Sequence, residues 1–350
     1  MIRRVQFNIS DANNGKLQKL DRLFDESRRV VNLYVERLWA NRDFSSKFVT
    51  FKVDTWLSAR LQQALGKQAL EIVKSQRRRR KKTMPVFNRD VINLDSRFLD
   101  VKFDQNSFDM WFKLSSLGGG IVVKLPSRKH GHMLQLLDKG FTLKMSSRLR
   151  QAGDRYYLDL YAEKSAPAPK KAGLVVGYDC GYKTLLADSL GNEHGRELEQ
   201  QYEKIGRKKQ GSKAFRSALK ERDNLINHTV NTMDLTGVKT VVVEDLKNVK
   251  HQTKGRMRKQ FMNKLQRWSY PKVLGKLATV CEEAGIELKK INPAYTSQTC
   301  SKCGVQDKAS RKGKTFTCTA CGHQMDADLN AALNIRNRGA YSPPALSPVL

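Results

Sequence analysis

A chain of 350 residues suits two or three domains of ordinary size, and its 39% hydrophobic and 8% aromatic content excludes a disordered polymer. Its 65 Lys and Arg against 34 Asp and Glu leave a formal charge of +31, far more than solubility requires. Such a chain repels itself unless a polyanion neutralises it, so nucleic acid is the indicated partner class. A membrane surface is excluded as partner: there is no amphipathic anchor, and no apolar run nears the roughly 20 residues of a span.

The N-terminus, Met1 to Phe7, lacks a signal-peptide apolar segment and reads as a strand that begins the fold. The expected location is the reducing cytoplasm (prokaryotic, acting at the nucleoid), where thiols bind metal more often than they pair. Residues 14–40 place Leu17, Leu20, Phe24, Val31, Val35 and Leu38 on one helical face, and residues 53–75 repeat the pattern with Leu57, Leu61, Leu65 and Ile72. The second helix runs into Arg77, Arg78, Arg79, Arg80, Lys81 and Lys82, a charge run read as a phosphate-backbone contact. From residue 85 the period becomes two. Val101 and Phe103, Phe108 to Leu114, Ile121 to Leu125, Phe141 to Met145 and Tyr156 to Tyr161 read as strands, with Gly118, Gly119, Gly120 and Gly131 as turns. The expectation is a small antiparallel barrel closed by the N-terminal strand, with the helices inserted into it. Ser165 to Lys171, rich in Ala and Pro, reads as the main linker.

Beyond it the pattern is α/β. Leu174 to Asp179 and Thr240 to Asp245 are apolar strands ending on carboxylates, with charged helices between them. A helical stretch at about 257–284, a strand at 286–291, a cysteine segment and a helix from Asp328 to about Arg338 follow, then a Pro-rich tail read as mobile. The basic runs at 203–222 and 250–267 are read as guide or target contacts. Trp268 and Tyr270 are candidates for base stacking, with core packing the favoured role for Trp268.

Cys300, Cys303, Cys318 and Cys321 form two CxxC pairs 14 residues apart, each followed by glycine, Gly304 and Gly322. Four thiolates at this spacing suit tetrahedral Zn²⁺ in a closed, structural site. Cys180 and Cys281 read as packing residues, and His323 as no ligand. Asp179, Glu244 and the pair Asp326 and Asp328 stand at the ends of apolar strands or at a helix start. A carboxylate there is costly unless it meets a cation. Three brought together suit Mg²⁺, and two such ions can hydrolyse a phosphodiester. Gly177 and Gly181 read as permitting a sharp strand-to-strand turn, since the segment lacks a phosphate-loop pattern.

Val176 to Lys183, Val242 to Leu246 and Asp326 to Ile335 resemble the three RuvC motifs of the TnpB family, the transposon-encoded nucleases related to type V CRISPR effectors. Pro293 to Gly304 resembles that family's zinc segment, and the specific motifs cover roughly 174–338. The resemblance implies a multidomain α+β protein. An OB-like wedge barrel (1–10 and 83–165) would hold an inserted helical recognition domain (11–82). An RNase H-like RuvC α/β nuclease domain (173–292 and 326–340) would hold a zinc-knuckle insertion (293–325), with a flexible tail at 341–350. It further implies an RNA-guided DNA endonuclease, with a noncoding guide RNA and double- and single-stranded target DNA as partners. Asp179, Glu244 and Asp328 would be the catalytic Mg²⁺ ligands, because in the family pattern the second aspartate is the ligand. Asp326 would be a neighbour or cap, and Asn330 would orient a ligand or phosphate. A guided repressor that does not cut, and a miniature CRISPR effector, are the alternative settings; one copy or two on the guide is open.

Overall fold

The computed structural model describes residues 1–41, 51–80, 82–105, 107–246 and 269–341. The chain separates into two compact units, Met1–Ser165 and Ala166–Leu350. The basic run at 250–267, Trp268, the start of the 257–284 helix, Lys81 and the tail from 342 lie outside the described residues.

In the first unit β1 (Ile2–Asn8) leads into α1 (Asn14–Ala40) and α2 (Ala59–Arg77). Asn13 and Ser58 cap these helices by accepting the Lys16 and Leu61 amides, which satisfies donors that a helix start leaves unpaired. Strands β2 (Val91–Leu94), β3 (Leu99–Gln105), β4 (Phe108–Leu114) and β5 (Val123–Ser127) follow, then α3 (Gly131–Asp138), β6 (Thr142–Ala152) and β7 (Arg155–Glu163). They pair into two sheets, β1-β7-β6-β2 and β3-β4-β5, wholly antiparallel, so among the described residues the ladder does not close into one ring. The N-terminal strand does enter the sheet, against β7. Both helices and both sheets bury side chains in one core, including Leu20, Leu61, Phe7 and Phe112. Residue 131 is not a turn: it opens α3, which His130 caps through the Met133 amide. Arg77 is also not a backbone-phosphate residue in this fold. Its guanidinium donates to the carbonyls of Leu38, Trp39 and Asn41 and closes the C-terminal end of α1, where a cation is favoured.

In the second unit β8 (Leu174–Asp179) turns back through β9 (Leu186–Asp188) and β10 (Glu193–His194). Helices α4 (Leu198–Gly206) and α5 (Lys213–Thr232) lead to β11 (Val238–Glu244). Then come α6 (Tyr270–Ala284) and β12 (Glu287–Ile291). The sheet order is β10-β9-β8-β11-β12, with β8, β11 and β12 parallel and the hairpin antiparallel at its edge. Parallel central strands are covered on both faces, which explains their unbroken apolar runs. Gly285 ends α6 in the left-handed region, at φ 65°, so β12 can start at once. Three short strands, β13 (Arg311–Lys312), β14 (Thr315–Thr317) and β15 (Gln324–Asp326), form a separate sheet before α7 (Ala327–Tyr341).

Helix α7 lies directly on the central strands. Gly177 lies inside β8, and a Cβ there would sit 2.3 Å from the Ala332 carbonyl oxygen and 2.4 Å from the Arg336 nitrogen. Gly339 meets the Val242 side chain in the same way, at 2.4 Å. The sequence reading of Gly177 as a turn residue is therefore corrected: it admits a helix backbone. Gly177→Ala is expected to lower stability by about 3 kcal/mol, the upper range of overpacking, because backbone rather than a flexible side chain must move. Gly275→Ala, in α6 with open space around its Cβ position, is expected to raise stability by roughly 1 kcal/mol. Urea unfolding of both variants checks the pair.

Candidate active site and cysteine knuckle

Tyr178 of β8 pairs in parallel with Val243 of β11, so Asp179 and Glu244 leave the sheet side by side at the same end. Ligands bind at this end of open parallel sheets. Asp328 stands in the first turn of α7, and that helix packs on β8 and β11. Burial, then the negative charges of Glu244 and Asp328, raise the Asp179 carboxyl from 3.8 to about 7. Asp179 keeps some accessible surface although protein packs closely around it. Burial also raises Glu244, opposed by a hydrogen bond from Thr296 and by the charges of Arg338 and Arg311. The Tyr270 hydroxyl donates to the Glu244 carbonyl, which fixes the strand end. Tyr270 is thus a buried anchor and not a stacking platform.

The third carboxylate is held differently. Arg311 donates to Asp328 Oδ1 at 2.9 Å and Lys314 to Oδ2 at 2.6 Å. Lys314 also lies 3.4 Å from Glu193 and 3.5 Å from the Thr184 hydroxyl. One set of potential ligand atoms within 4.8 Å of one another joins Asp328 to Glu193 and Asp326; Asp179 and Glu244 are not in it. Asp326 is the cap of α7, its Oδ1 accepting the amides of Asp328 and Leu329 at 2.8 and 3.0 Å.

The residues suit a divalent cation. Among the described residues no donor bonds the Asp179 carboxylate, and it feels the negative charge of Glu244 and Asp328. A hard cation with oxygen ligands resolves that repulsion.

The four predicted cysteines converge, with their sulfur atoms all within 4.8 Å of one another and no histidine among them. Cys300 and Cys321 sulfurs lie 3.8 Å apart, and those of Cys303 and Cys318 lie 3.6 Å apart. A tetrahedron with Zn–S of about 2.3 Å has edges of about 3.8 Å, close to these two separations, so the cluster suits zinc. The Cys321 amide, 3.5 Å from the Cys318 sulfur, leads the causes that lower that thiol to about 6, toward the thiolate a metal needs. Gly304 and Gly322 adopt φ of 78° and 66°, and their amides turn back to the Cys300 and Cys318 carbonyls. Cys281 is buried in the core and Cys180 packs on it, as expected.

Three residues of α7 tie this knuckle to the acids, and the sequence reading missed two of them. Asn330 is fully buried; it donates to the Thr299 carbonyl at 2.9 Å and accepts the Ser301 amide at 2.9 Å. It is a clamp and not a phosphate contact, which corrects the expectation for it. Asn334 donates to the Thr296 and Thr299 carbonyls at 2.9 and 2.7 Å, and Arg338 donates to those of Asn292 and Ala294. Their spacing of four residues puts all three on one helical face, a visible signal. They hold the loop whose Thr296 hydroxyl donates to Glu244.

The predicted contacts at 203–222 are partly used within the protein: Lys204 pairs with Glu221, Arg207 with Glu203 and Arg222 with Asp223. No helix among the described residues is long and apolar enough to cross a membrane.

The second unit thus carries strand-end carboxylates beside a four-cysteine knuckle, and known proteins share these features. Residues 270–335 match the family model for the Cas12f1-like TNB domain. The chain is 43% identical over 100 residues to the CRISPR-associated endodeoxyribonuclease Cas12f1 of Sulfoacidibacillus thermotolerans, covering 28% of this chain and 22% of that one. The matched stretch thus spans about a fifth of that relative's length. It is 33% identical over 93 residues to a putative transposase of Methanocaldococcus jannaschii, covering 23% of this chain and 85% of that one. In fold it matches the Cas12f1 chain of a complex with sgRNA and target DNA, at a TM-score of 0.63 and 15% identity, over 93% of this chain and 82% of that one. The chain belongs to the family of TnpB-like proteins and Cas12f1.

Two outcomes follow from this geometry. An unfolded Asp179 titrates near 3.8 and the folded one near 7, so the folded form binds the proton more tightly. Its contribution to stability is full below about pH 4 and is lost as the pH rises through 7, by up to about 1.4 kcal/mol per unit. Without divalent cation, Asp179→Asn is expected to unfold at a higher temperature than the parent, by a margin that grows from pH 5 to pH 8. Mg²⁺ at pH 8 should raise the parent's Tm and not the variant's; equal shifts would argue against binding here. For the knuckle, Cys318→Ser should speed amide hydrogen exchange across Thr299 to Val305 at least tenfold and leave the β8 and β11 amides protected.

Proposed function

We propose that this chain is an RNA-guided DNA endonuclease that cuts beside a short adjacent motif by two-metal phosphodiester hydrolysis. Asp179, Glu244 and Asp328 are the catalytic Mg²⁺ ligands, and Cys300, Cys303, Cys318 and Cys321 hold a structural Zn²⁺. The observation that carries the reading is the meeting of Asp179 and Glu244 at the ends of paired parallel strands, with the charge of Asp328 felt at Asp179. Mg²⁺ bound there supplies an activated water and charge for the leaving oxygen. The protein's own part is to hold the three acids from two strands and one helix, and to orient Glu244 through Thr296. Arg311 and Lys314 add positive charge where a phosphodiester must lie.

The domain assignment that goes with this reading is a wedge (1–10 and 83–165), a helical recognition part (11–82), a RuvC nuclease of RNase H type (173–292 and 326–340) and a knuckle (293–325). A noncoding guide RNA selects the target by base pairing, while the +31 charge binds guide and DNA by their backbones. The setting is a transposable element. The Cas12f1 likeness supports a second setting with the same chemistry, a miniature CRISPR effector.

The test is cleavage of a guide-matched plasmid by protein purified with RNA from its flanking genomic DNA. Parent protein with Mg²⁺ should linearise the plasmid. Asp179→Ala, Glu244→Ala and Asp328→Ala should each lose at least a hundredfold in rate while retaining RNA. RNA and target binding without cutting by the parent would make it a repressor, and failure to retain RNA would reject both forms.

A further inference from the structure

Lys314 sits at the tip of the β13–β14 hairpin, beside Gly313, which adopts φ of 63°. The tip is anchored by its backbone, the Lys314 carbonyl accepting the Ala327 amide at 2.8 Å. The side chain reaches Asp328 Oδ2, Glu193 and Thr184, so one ammonium joins the knuckle hairpin, the start of α7, β10 and the turn after β8. Arg311 holds the other Asp328 oxygen, and its Nε is also directed to the Gly313 carbonyl at 3.4 Å. Of the two cations, Lys314 is the more exposed, at 44% against 31%, and it is a single point charge on a flexible stem.

A carboxylate oxygen that accepts from an ammonium at 2.6 Å keeps a second lone pair, but an ammonium and a divalent ion on the same carboxylate repel each other. Asp328 therefore holds a divalent ion more tightly when Lys314 withdraws from it. Glu193, whose other oxygen pairs with Arg196, already lies 3.4 Å from the ammonium and offers it a second carboxylate. Resting on the two-metal reading above, we propose that Lys314 is a displaceable internal cation. It occupies Asp328 until a divalent ion takes that carboxylate, and it then rests on Glu193. The knuckle hairpin thereby sets the affinity of the metal centre, and Lys314 acts as a positioning residue through Asp328.

The test is Mn²⁺ binding by the full chain without nucleic acid, read from the EPR signal of the free ion. Lys314→Gln is expected to bind Mn²⁺ about tenfold more tightly than the parent, since an adjacent unit charge is worth at least ~1.4 kcal/mol to the ion. Lys314→Met, which keeps the stem, should do the same and guards against a local packing fault. Lys314→Arg should stay near the parent. Lys312→Gln, the same charge change at an exposed site on the same hairpin, should alter affinity by less than twofold.

Glu193→Gln should weaken Mn²⁺ binding in the parent and not in Lys314→Gln. Weakening in both backgrounds would make Glu193 a metal ligand and overturn its role as the resting place. Equal gains from Lys314→Gln and Lys312→Gln, or none from either, would overturn the displacement while leaving the two-metal reading intact. If no variant bound Mn²⁺ and Asp179→Asn also failed to change the Tm response to Mg²⁺, both would fall.

Discussion

The contact on which the second unit depends is the approach of α7 to the centre of the sheet. A helix normally stands off a strand by the length of the side chains between them. Here Gly177 and Gly339 remove those side chains, and the Ala332–Arg336 backbone lies on β8. At this separation the charge of a carboxylate in the first turn of α7 is felt at Asp179, on the end of β8. The same helix carries Asn330, Asn334 and Arg338 on one face, and these grip the loop that enters the knuckle. One close packing therefore assembles both the acidic centre and the base of the cysteine site.

That assembly carries an electrostatic cost that the rest of the site offsets. Burial and mutual repulsion push Asp179 to about 7, so in the absence of a cation the centre favours a proton. Thr296 eases Glu244 with a hydroxyl, and Arg311 and Lys314 ease Asp328 with charge. All three helpers come from the segment between β12 and α7. The knuckle is thus more than an attachment: its residues partly neutralise the acids while leaving Asp179 without a donor among the described residues. A site built only for stability would have paired that carboxylate with a cation or replaced it by an apolar side chain.

Much of this was legible in the residues because it rests on local patterns. Apolar runs ending in Asp179 and Glu244 mark buried parallel strands, and CxxC pairs with glycine behind them mark a knuckle, whatever surrounds them. The amphipathic period located α1 and α2 to within a few residues at most ends. What was not legible depends on partners distant in sequence. Gly177 read as a turn because its reason, the backbone of Arg336, lies over 150 residues on. Arg77 read as part of a charge run because the carbonyls that it closes belong to the other helix. Asn330 sat in a motif that suggested chemistry, yet both of its bonds go to the knuckle backbone. The α3 helix was missed because its eight residues are too few for a helical period to stand out.

The two metal-binding chemistries are kept apart by ligand type and joined by geometry. Four thiolates make a soft, closed site with its coordination complete, so an ion there shapes the chain and leaves no position for water. Carboxylates are hard ligands, and a cation held by them would keep waters for reaction. The loop from Thr296 to Ser301 separates them by a few residues, touching Glu244 at one end and beginning the cysteine cluster at the other. A knuckle that is folded and gripped by α7 sets the Thr296 hydroxyl against Glu244, and its hairpin sets Lys314 against Asp328. The structural site thereby acts on two of the three acids through the stiffness of one short loop and one hairpin. A closed, soft site is suited to that role because thiolates would not compete for a hard cation at the acids.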